Sequence, residues 1–488
     1  MRDYEFGNFL RELRARRGLS QFQLGMLVGV SDKAVSKWEN GSSKPQSRIL
    51  HRLSEVLGIT VDELLACKYY AGGFAMTKTL WERASRALSG IYGEVPPMEA
   101  VNRYFTEYEE LKDTGHIRYF GFLGRLAGLS GRGEGHIQPH GGVGASFIAY
   151  ILGATGINPL SPHYYCPCCH MFWPVNVPLC GWDLPPKKCS CGGEMIRDGH
   201  NLPFEMLRPT IRRAPHYDVS VSANLFRAAE ETVFSSFQEN KVVILTKEEP
   251  GSRTYIILDE KYPDLKNGQT LPFREYYDRL RVYPAITLIR NEELDAWKKL
   301  EEETGILFED VPFLDKKVFE TFLGGDTRGI PEFGTEFART LMAQCTPASV
   351  HDLIQIPGLC HGTGVWEKNG QALVSAGRSI GTLVAYRDDV FRYIQDKVVR
   401  HSGSGSGFAC HVTEKAGRGK YARDGISEEE RRQFLALGVE EWFVECLEKI
   451  RYLFPKAHSI PYVKQALTLM WYRVSYPETF GKIILKGK

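Results

Sequence analysis

NPLSPHYYCPCC, residues Asn158 to Cys169, opens the stretch that decides the fold of this 488-residue chain. A cysteine-rich insert follows, then DLPPKKCSCGGEMIRDGHNLPFEM from Asp183 to Met206, and PHYDVSVS from Pro215 to Ser222. Cys166, Cys169, Cys189 and Cys191 fall in two close pairs. Four thiolates so spaced suit tetrahedral Zn2+, with Zn–S of about 2.3 Å. The second pair is CxC rather than CxxC, which strains the bite, so Cys168 or Cys180 is an alternative ligand. Reduced buried thiols without a metal are the competing reading. An all-thiolate site leaves no open position, so a zinc here would be structural.

Working outward, the composition is that of an ordinary globular chain, 43% hydrophobic and 25% charged. The length allows several domains. The longest nearly apolar run, Gly144 to Ile157, is too short to span a bilayer, which takes about 20 residues. No apolar signal segment opens the chain. A cytoplasmic protein without a membrane segment is expected, and there eleven cysteines favour metal binding or buried thiols over disulfides. The net charge of +2 is uneven. Residues 1–52 hold ten Lys and Arg against five Asp and Glu, a balance of +5, which leaves 2 − 5 = −3 for the remainder. The basic end is the expected nucleic-acid binder, because phosphate neutralisation dominates that affinity.

Residues 5–65 have the pattern of a compact bundle of short helices. Phe6, Phe9, Leu10 and Leu13 recur at helical spacing until Gly18. Ser20 is a good N-cap for a helix over Gln21–Leu27, Gly29 makes a tight turn, and Ser31 caps a second helix that stops at Asn40-Gly41. LSQFQLGMLVGVSDKAVSKWENGSSKP resembles the Cro/C1-type (XRE) helix-turn-helix of phage repressors. In that family the second helix enters the major groove of double-stranded DNA. By position, the resemblance implies Asp32, Lys33 and Lys37 at base edges and Gln21, Asn40 and Lys44 near phosphates. Val30, Val35 and Trp38 would be core. It further implies a homodimer on a two-fold site. A helical bundle used only for protein contacts is the alternative.

The order of segments from Asn158 to Ser222 resembles the palm of the C-family bacterial replicative polymerase, the PolC type of DNA polymerase III alpha. From IYGEVPPMEAVNRYFTEYEELKDTGHIRYFGFLGRLAGL onward the resemblance continues in patches over most of residues 90–480. In that family the last segment carries two aspartates one residue apart, and these hold two divalent metals about 4 Å apart for phosphoryl transfer. Here His216 occupies the first position, only Asp218 remains as a remnant catalytic residue, and Arg281 stands at the third carboxylate. Arg212 and Arg213 crowd the same place, where cations repel Mg2+ and can hold phosphate directly. A Mg2+ pair is therefore not expected.

The family's glycine-rich phosphate loop is matched by GGVGASFIAYILGATGINPL from Gly141, with His140, Gly142 and Ala145 in place of its arginine and serines. A glycine turn before a buried apolar helix explains the same letters. EEPGSRTYIIL resembles the family's His-Pro-Gly-Gly segment, with Glu249 for the histidine. GIPEFGTEFARTL, DLIQIPGLCHGTGVWEKN, YRDDVF and IRYLFPKAHSIPYVKQALTLMWYRV resemble fingers motifs. There the resemblance places Arg387, Lys456 and His458 near incoming nucleotide or template, with His361 and Thr363 in the matching turn. Alternatively, Arg387 pairs with Asp388-Asp389 at a helix start. The family's exonuclease and later clamp- and DNA-binding parts are not expected in this chain.

The expected fold is α+β: a helix-turn-helix domain over 1–68, a linker over 69–89, a palm over 90–290 with the zinc insert at 158–206, and helical fingers over 291–488. Three functions follow. The first is a DNA-binding regulator with an impaired polymerase core that contacts nucleic acid or replication proteins. The second is a replisome decoy, and the third is an active truncated DNA polymerase.

Overall fold

A computed structural model describes residues 4–485 except 17–18, 58–60, 62–63, 65–74, 131–134, 178–179, 208–215, 238–240, 247–250, 259–264, 273–282 and 403–404. The chain opens with four helices: α1 (Tyr4–Arg16), α2 (Gln21–Val28), α3 (Asp32–Glu39) and α4 (Ser47–Leu57). Ser20 and Gln23 form a reciprocal capping box at α2, and Gly29, at φ 76°, closes that helix in the left-handed region. Ser31 Oγ accepts from Ala34 N–H and starts α3. Their core is Phe6, Leu10, Leu13, Leu24, Val28, Val35, Trp38 and Leu53.

Helix α5 (Ala75–Tyr92) covers most of the segment expected to be a linker. The YYAGG break is real in sequence, but Leu80, Ala84, Leu88 and Tyr92 follow it at four-residue spacing and bury one stripe. Residues 65–74, which include YYAGG, lie outside the described residues. The helix-turn-helix domain is fastened to α6 (Met98–Asp113) rather than tethered. Arg52 Nε donates to Glu109 at 3.1 Å and its guanidinium lies over Phe105, while Lys112 pairs with Glu55. Gln23 adds a bond to Glu94 O at 3.3 Å.

The opposite side of α6 organises the palm. Glu107, fully buried, accepts from Ser146 Oγ at 2.7 Å and from Phe147 and Ile148 N–H at 2.9 and 3.1 Å, the first turn of α8 (Phe147–Ile151). Arg103 balances its charge at 2.5 Å and donates to Ala145 O. Glu107→Ala would leave Arg103 without its carboxylate and two amides without their acceptor. We expect it to cost about 3–5 kcal/mol, the penalty of breaking a buried pair, read as a lower melting temperature; an unchanged melting curve would contradict this account of the palm.

After α7 (Ile117–Ser130) the chain builds a six-stranded sheet in the order β1-β5-β9-β7-β6-β8. Its members are β1 (Ile137–Pro139), β5 (His216–Val221), β6 (Lys241–Thr246), β7 (Ser252–Leu258), β8 (Thr270–Pro272) and β9 (Ala285–Arg290). Strands β5 and β9 run parallel, while β1 and β7 flank them antiparallel. Tyr217, Val219 and Val221 leave β5 on one buried face, where Tyr217 stacks on Tyr119 of α7 with centroids 4.8 Å apart; α9 (Phe226–Ser236) packs against α7 and β9. A separate ribbon, β3-β2-β4, comprises β2 (His163–Tyr165), β3 (Phe172–Pro174) and β4 (Ile196–Asp198).

The remainder is largely helical: α10 (Glu292–Thr304), α11 (Lys316–Leu323), α12 (Glu336–Cys345), α13 (Val350–His361), α14 (Arg387–Ser402), α15 (Gly407–Gly417), α16 (Glu428–Ala436), α17 (Glu441–Lys449) and the long α18 (Lys456–Ser475). Asp183 ties the ribbon to this body by accepting from Val350 and His351 N–H at 2.6 and 2.8 Å, at the start of α13. Helical bundle, mixed sheet and helical body together make the fold α+β. Among the described residues no helix is long and apolar enough to cross a membrane.

Candidate functional site

Three places carry chemistry. In the ribbon, the Sγ atoms of Cys166, Cys169, Cys189 and Cys191 lie within 4.8 Å of one another. The 166–191 and 169–189 separations are 3.5 and 3.4 Å. The first cysteine pair follows β2 and the second sits in a tight turn, where Cys189 N–H donates to Gly193 O and Gly192 adopts φ 90°. That turn relieves the short CxC spacing. The N–H groups of Cys169 and Cys168 hold the Cys166 thiol down at about 6, and the N–H of Cys191 lowers Cys189. Cys169 and Cys191 are raised by the thiols beside them, so the four share the bias unequally; it is the convergence of four Sγ atoms that fits a metal ion. The alternative ligand Cys180 is elsewhere, buried and hydrogen-bonded to Asp183; Cys168 is exposed and outside the four.

In the helix-turn-helix, α3 turns Asp32, Lys33 and Lys37 to solvent, and Asn40 and Lys44 are also exposed. Val35 and Trp38 are buried and Val30 is half-buried against the core. Two residues expected near phosphates have internal bonds. Gln21 Nε2 donates to Glu39 at 2.7 Å, and Asn40 Oδ1 accepts from Ser42 N–H at 3.1 Å. Asp32 Oδ1 accepts from Lys33 N–H at 2.8 Å, at the first turn of α3. The faces of α2 and α4 that meet the body are occupied, whereas α3 is open.

In the palm, strand alternation sets His216, Asp218 and Ser220 on the face opposite Tyr217 and Val219. Beside them in register on β9 are Ala285, Thr287 and Ile289. Thr287 is buried and shares a 3.1 Å hydrogen bond with Thr254 on β7. No carboxylate therefore reaches Asp218 from its parallel neighbour. Among the described residues, the cysteine cluster is the only group of three or more His, Cys, Asp or Glu close enough to share a metal. Arg212, Arg213, Glu249 and Arg281 lie outside the described residues.

Neutral hydrogen-bonding groups fill the space near Asp218. His140 Nε2 meets Ser220 Oγ at 2.6 Å, its Nδ1 meets Tyr462 OH at 3.0 Å, and the two rings stack. Gly141 N–H donates to His458 Nδ1 at 3.0 Å, so neutral His458 carries its proton on Nε2. Burial pushes His140 down to about 4, and burial with the nearby His140 does the same to His458. Neutral imidazoles are poor ligands for hard Mg2+, which takes oxygen. His361, stacked on Phe454, pairs with Glu332 at 2.5 Å and is raised by it.

The structure brings Arg387, Lys456 and His458 together around Phe454, but commits two of them. Arg387 Nε donates to Leu453 O at 2.8 Å rather than to the aspartates that follow it. Lys456 is buried, its N–H bonding Asp388 and its ammonium lying 3.3 Å from Asp389. Burial pushes Asp388 up to about 6. The glycine loop, Gly141–Ala145, packs against α18, and a Cβ at Gly144 would come within 2.8 Å of Ala457 O. The amides that open α8 already hold Glu107, so the buried glycine turn describes this loop better than an open phosphate cradle.

Residues 5–66 match a helix-turn-helix domain, and residues 286–400 match the bacterial DNA polymerase III alpha subunit finger domain. The chain is 27% identical to the PolC-type DNA polymerase III of Mycoplasmopsis pulmonis, over 87% of this chain and 34% of that protein. It is 29% identical to that of Thermotoga petrophila, over 80% and 33%. For Caldanaerobacter subterraneus the values are 27%, 80% and 32%. The chain thus spans about a third of the length of the curated relatives it matches. It joins an N-terminal helix-turn-helix domain to a body homologous to PolC-type DNA polymerase III, with a finger domain in that body.

Proposed function

We propose that this protein is a sequence-specific DNA-binding regulator whose PolC-like body has lost primer extension and keeps nucleic-acid or replication-protein contact. One observation carries the loss: β9 sets Ala285, Thr287 and Ile289 beside His216, Asp218 and Ser220, leaving Asp218 without a second strand-borne carboxylate. Two-metal transfer needs oxygen ligands on both ions. Of Arg387, Lys456 and His458, this reading assigns phosphate contact to His458 Nε2–H, because Lys456 pairs with Asp389 and Arg387 Nε holds Leu453 O. The ribbon holds a structural Zn2+ in this reading, in keeping with a reducing, cytoplasmic setting. Extension of a primed template by the folded chain would overturn the proposal.

Regulation rests on α3. Lys33 and Lys37 supply base-edge or phosphate contacts, with Asp32, Asn40 and Lys44 beside them. Lys33→Ala is expected to weaken specific duplex binding by about 1–3 kcal/mol if it reads a base, or to lower the salt slope by about one if it holds a phosphate. Gel shift across a salt series distinguishes the two roles. Undiminished affinity with an unchanged salt slope would remove Lys33 from the interface.

A further inference from the structure

Away from the palm, α18 turns Lys464 into a cleft of about 460 Å³ between the ribbon and the helical body. Lys464 lies two residues, about 200° around the helix, from Tyr462, so it does not share the His140 network. The cleft is lined by Tyr150 of α8, Trp182 and Phe313, together with Arg197 and the buried Asp198 of β4. Its size is that of small-molecule sites, roughly 300–1,000 Å³.

The charges in it are unequally committed. Asp198 Oδ2 accepts from Tyr150 OH and Asn158 Nδ2, each at 3.0 Å. Arg197 gives one N–H to Leu184 O at 2.7 Å. Among the described residues, Lys464 Nζ has no carboxylate in ion-pair reach; the Phe313 ring, 5.4 Å away, is its close partner. Burial lowers the Lys464 pKa, opposed by the charges of Asp198 and Glu309. A partly buried lysine with no carboxylate in ion-pair reach is costly unless something else completes its contacts. The three aromatic walls are fixed, with Trp182 edge-on to Phe313 at 5.1 Å.

We propose that this cleft binds a small aromatic carboxylate, its monoanionic head on Lys464 and its ring against Trp182, Tyr150 and Phe313. The proposal does not depend on the palm's activity. Calorimetry on the full chain tests it with indole-3-carboxylate, benzoate, neutral indole and adenosine monophosphate. Indole-3-carboxylate should bind saturably and at least about tenfold tighter than indole, because the charge-assisted contact is lost in the neutral compound. Lys464→Met should lose at least about tenfold and Lys464→Arg should keep most of the affinity. On the unaltered chain, saturating indole-3-carboxylate should protect Lys464 from reductive methylation, read by peptide mass spectrometry. Absence of saturable binding by either carboxylate, equal affinity for indole, an unprotected Lys464, or tighter binding of adenosine monophosphate than of both carboxylates would each overturn the assignment.

Discussion

Chain purified without chelator is expected to carry about one Zn2+, and Cys166→Ser is expected to lose it and loosen the ribbon. The effect should be large, because in small zinc peptides such a site provides an apparent roughly 10–16 kcal/mol that is also folding free energy. The four Sγ atoms already converge, and Cys166 is buried at the base of the cluster. Its loss would also release Asp183, which caps α13 from the same segment, so the helical body should soften with the ribbon. Metal analysis and melting curves on wild type and variant check this. A metal-free wild type with the same melting temperature would contradict a zinc site.

The second large effect is expected at Glu39. Its carboxylate is buried and receives Arg14 Nε and Nη2 at 2.5 and 3.0 Å and Gln21 Nε2 at 2.7 Å; Arg11 Nη2 donates to its carbonyl at 3.2 Å. Gly7 lets α1 cross α3 closely at this point, where a Cβ would come within 2.5 Å of Glu39 O. Glu39→Ala leaves the partly buried Arg14 without its anion and should cost about 3–5 kcal/mol. Because α3 ends at Glu39, duplex binding should fall with stability, although the side chain itself reaches no DNA. Thermal melting and gel shift together separate this from a contact mutation: loss of binding with unchanged melting would place Glu39 in the interface instead.

Where local residues set local geometry, the sequence was legible. Ser20 with Gln23, Ser31 with Ala34, and Gly29 each fix a helix end within three residues, so the helix-turn-helix could be placed to within one residue at the end of α2. The cysteine spacing likewise identified the four thiols. What sequence could not convey was long-range register. His140 meets Tyr462 across 322 residues, and Glu107 meets Ser146 across 39. No periodicity signals either pairing. The neighbour of Asp218 on the sheet is Thr287, an assignment made by parallel pairing rather than by the loose local likeness that pointed to Arg281. Arg387 and Lys456 carry the charge expected of phosphate ligands, yet backbone carbonyls and aspartates claim them. Gln21, expected near a phosphate, also donates to the buried Glu39 of the next helix, a second partner that no local pattern signals.

The most direct measurement is primer extension by the full chain and by Asp218→Asn on one primed template, first with Mg2+ and then with Mn2+, the ion that tolerates imidazole ligands better. We predict no extension by either protein with either metal, while both still bind duplex DNA in the same buffer. His216→Asp alone should not rescue activity, because Ala285, Thr287 and Ile289 still offer no carboxylate from β9. Extension by the wild type that disappears in Asp218→Asn would show a working metal site at Asp218 and contradict the loss of primer extension.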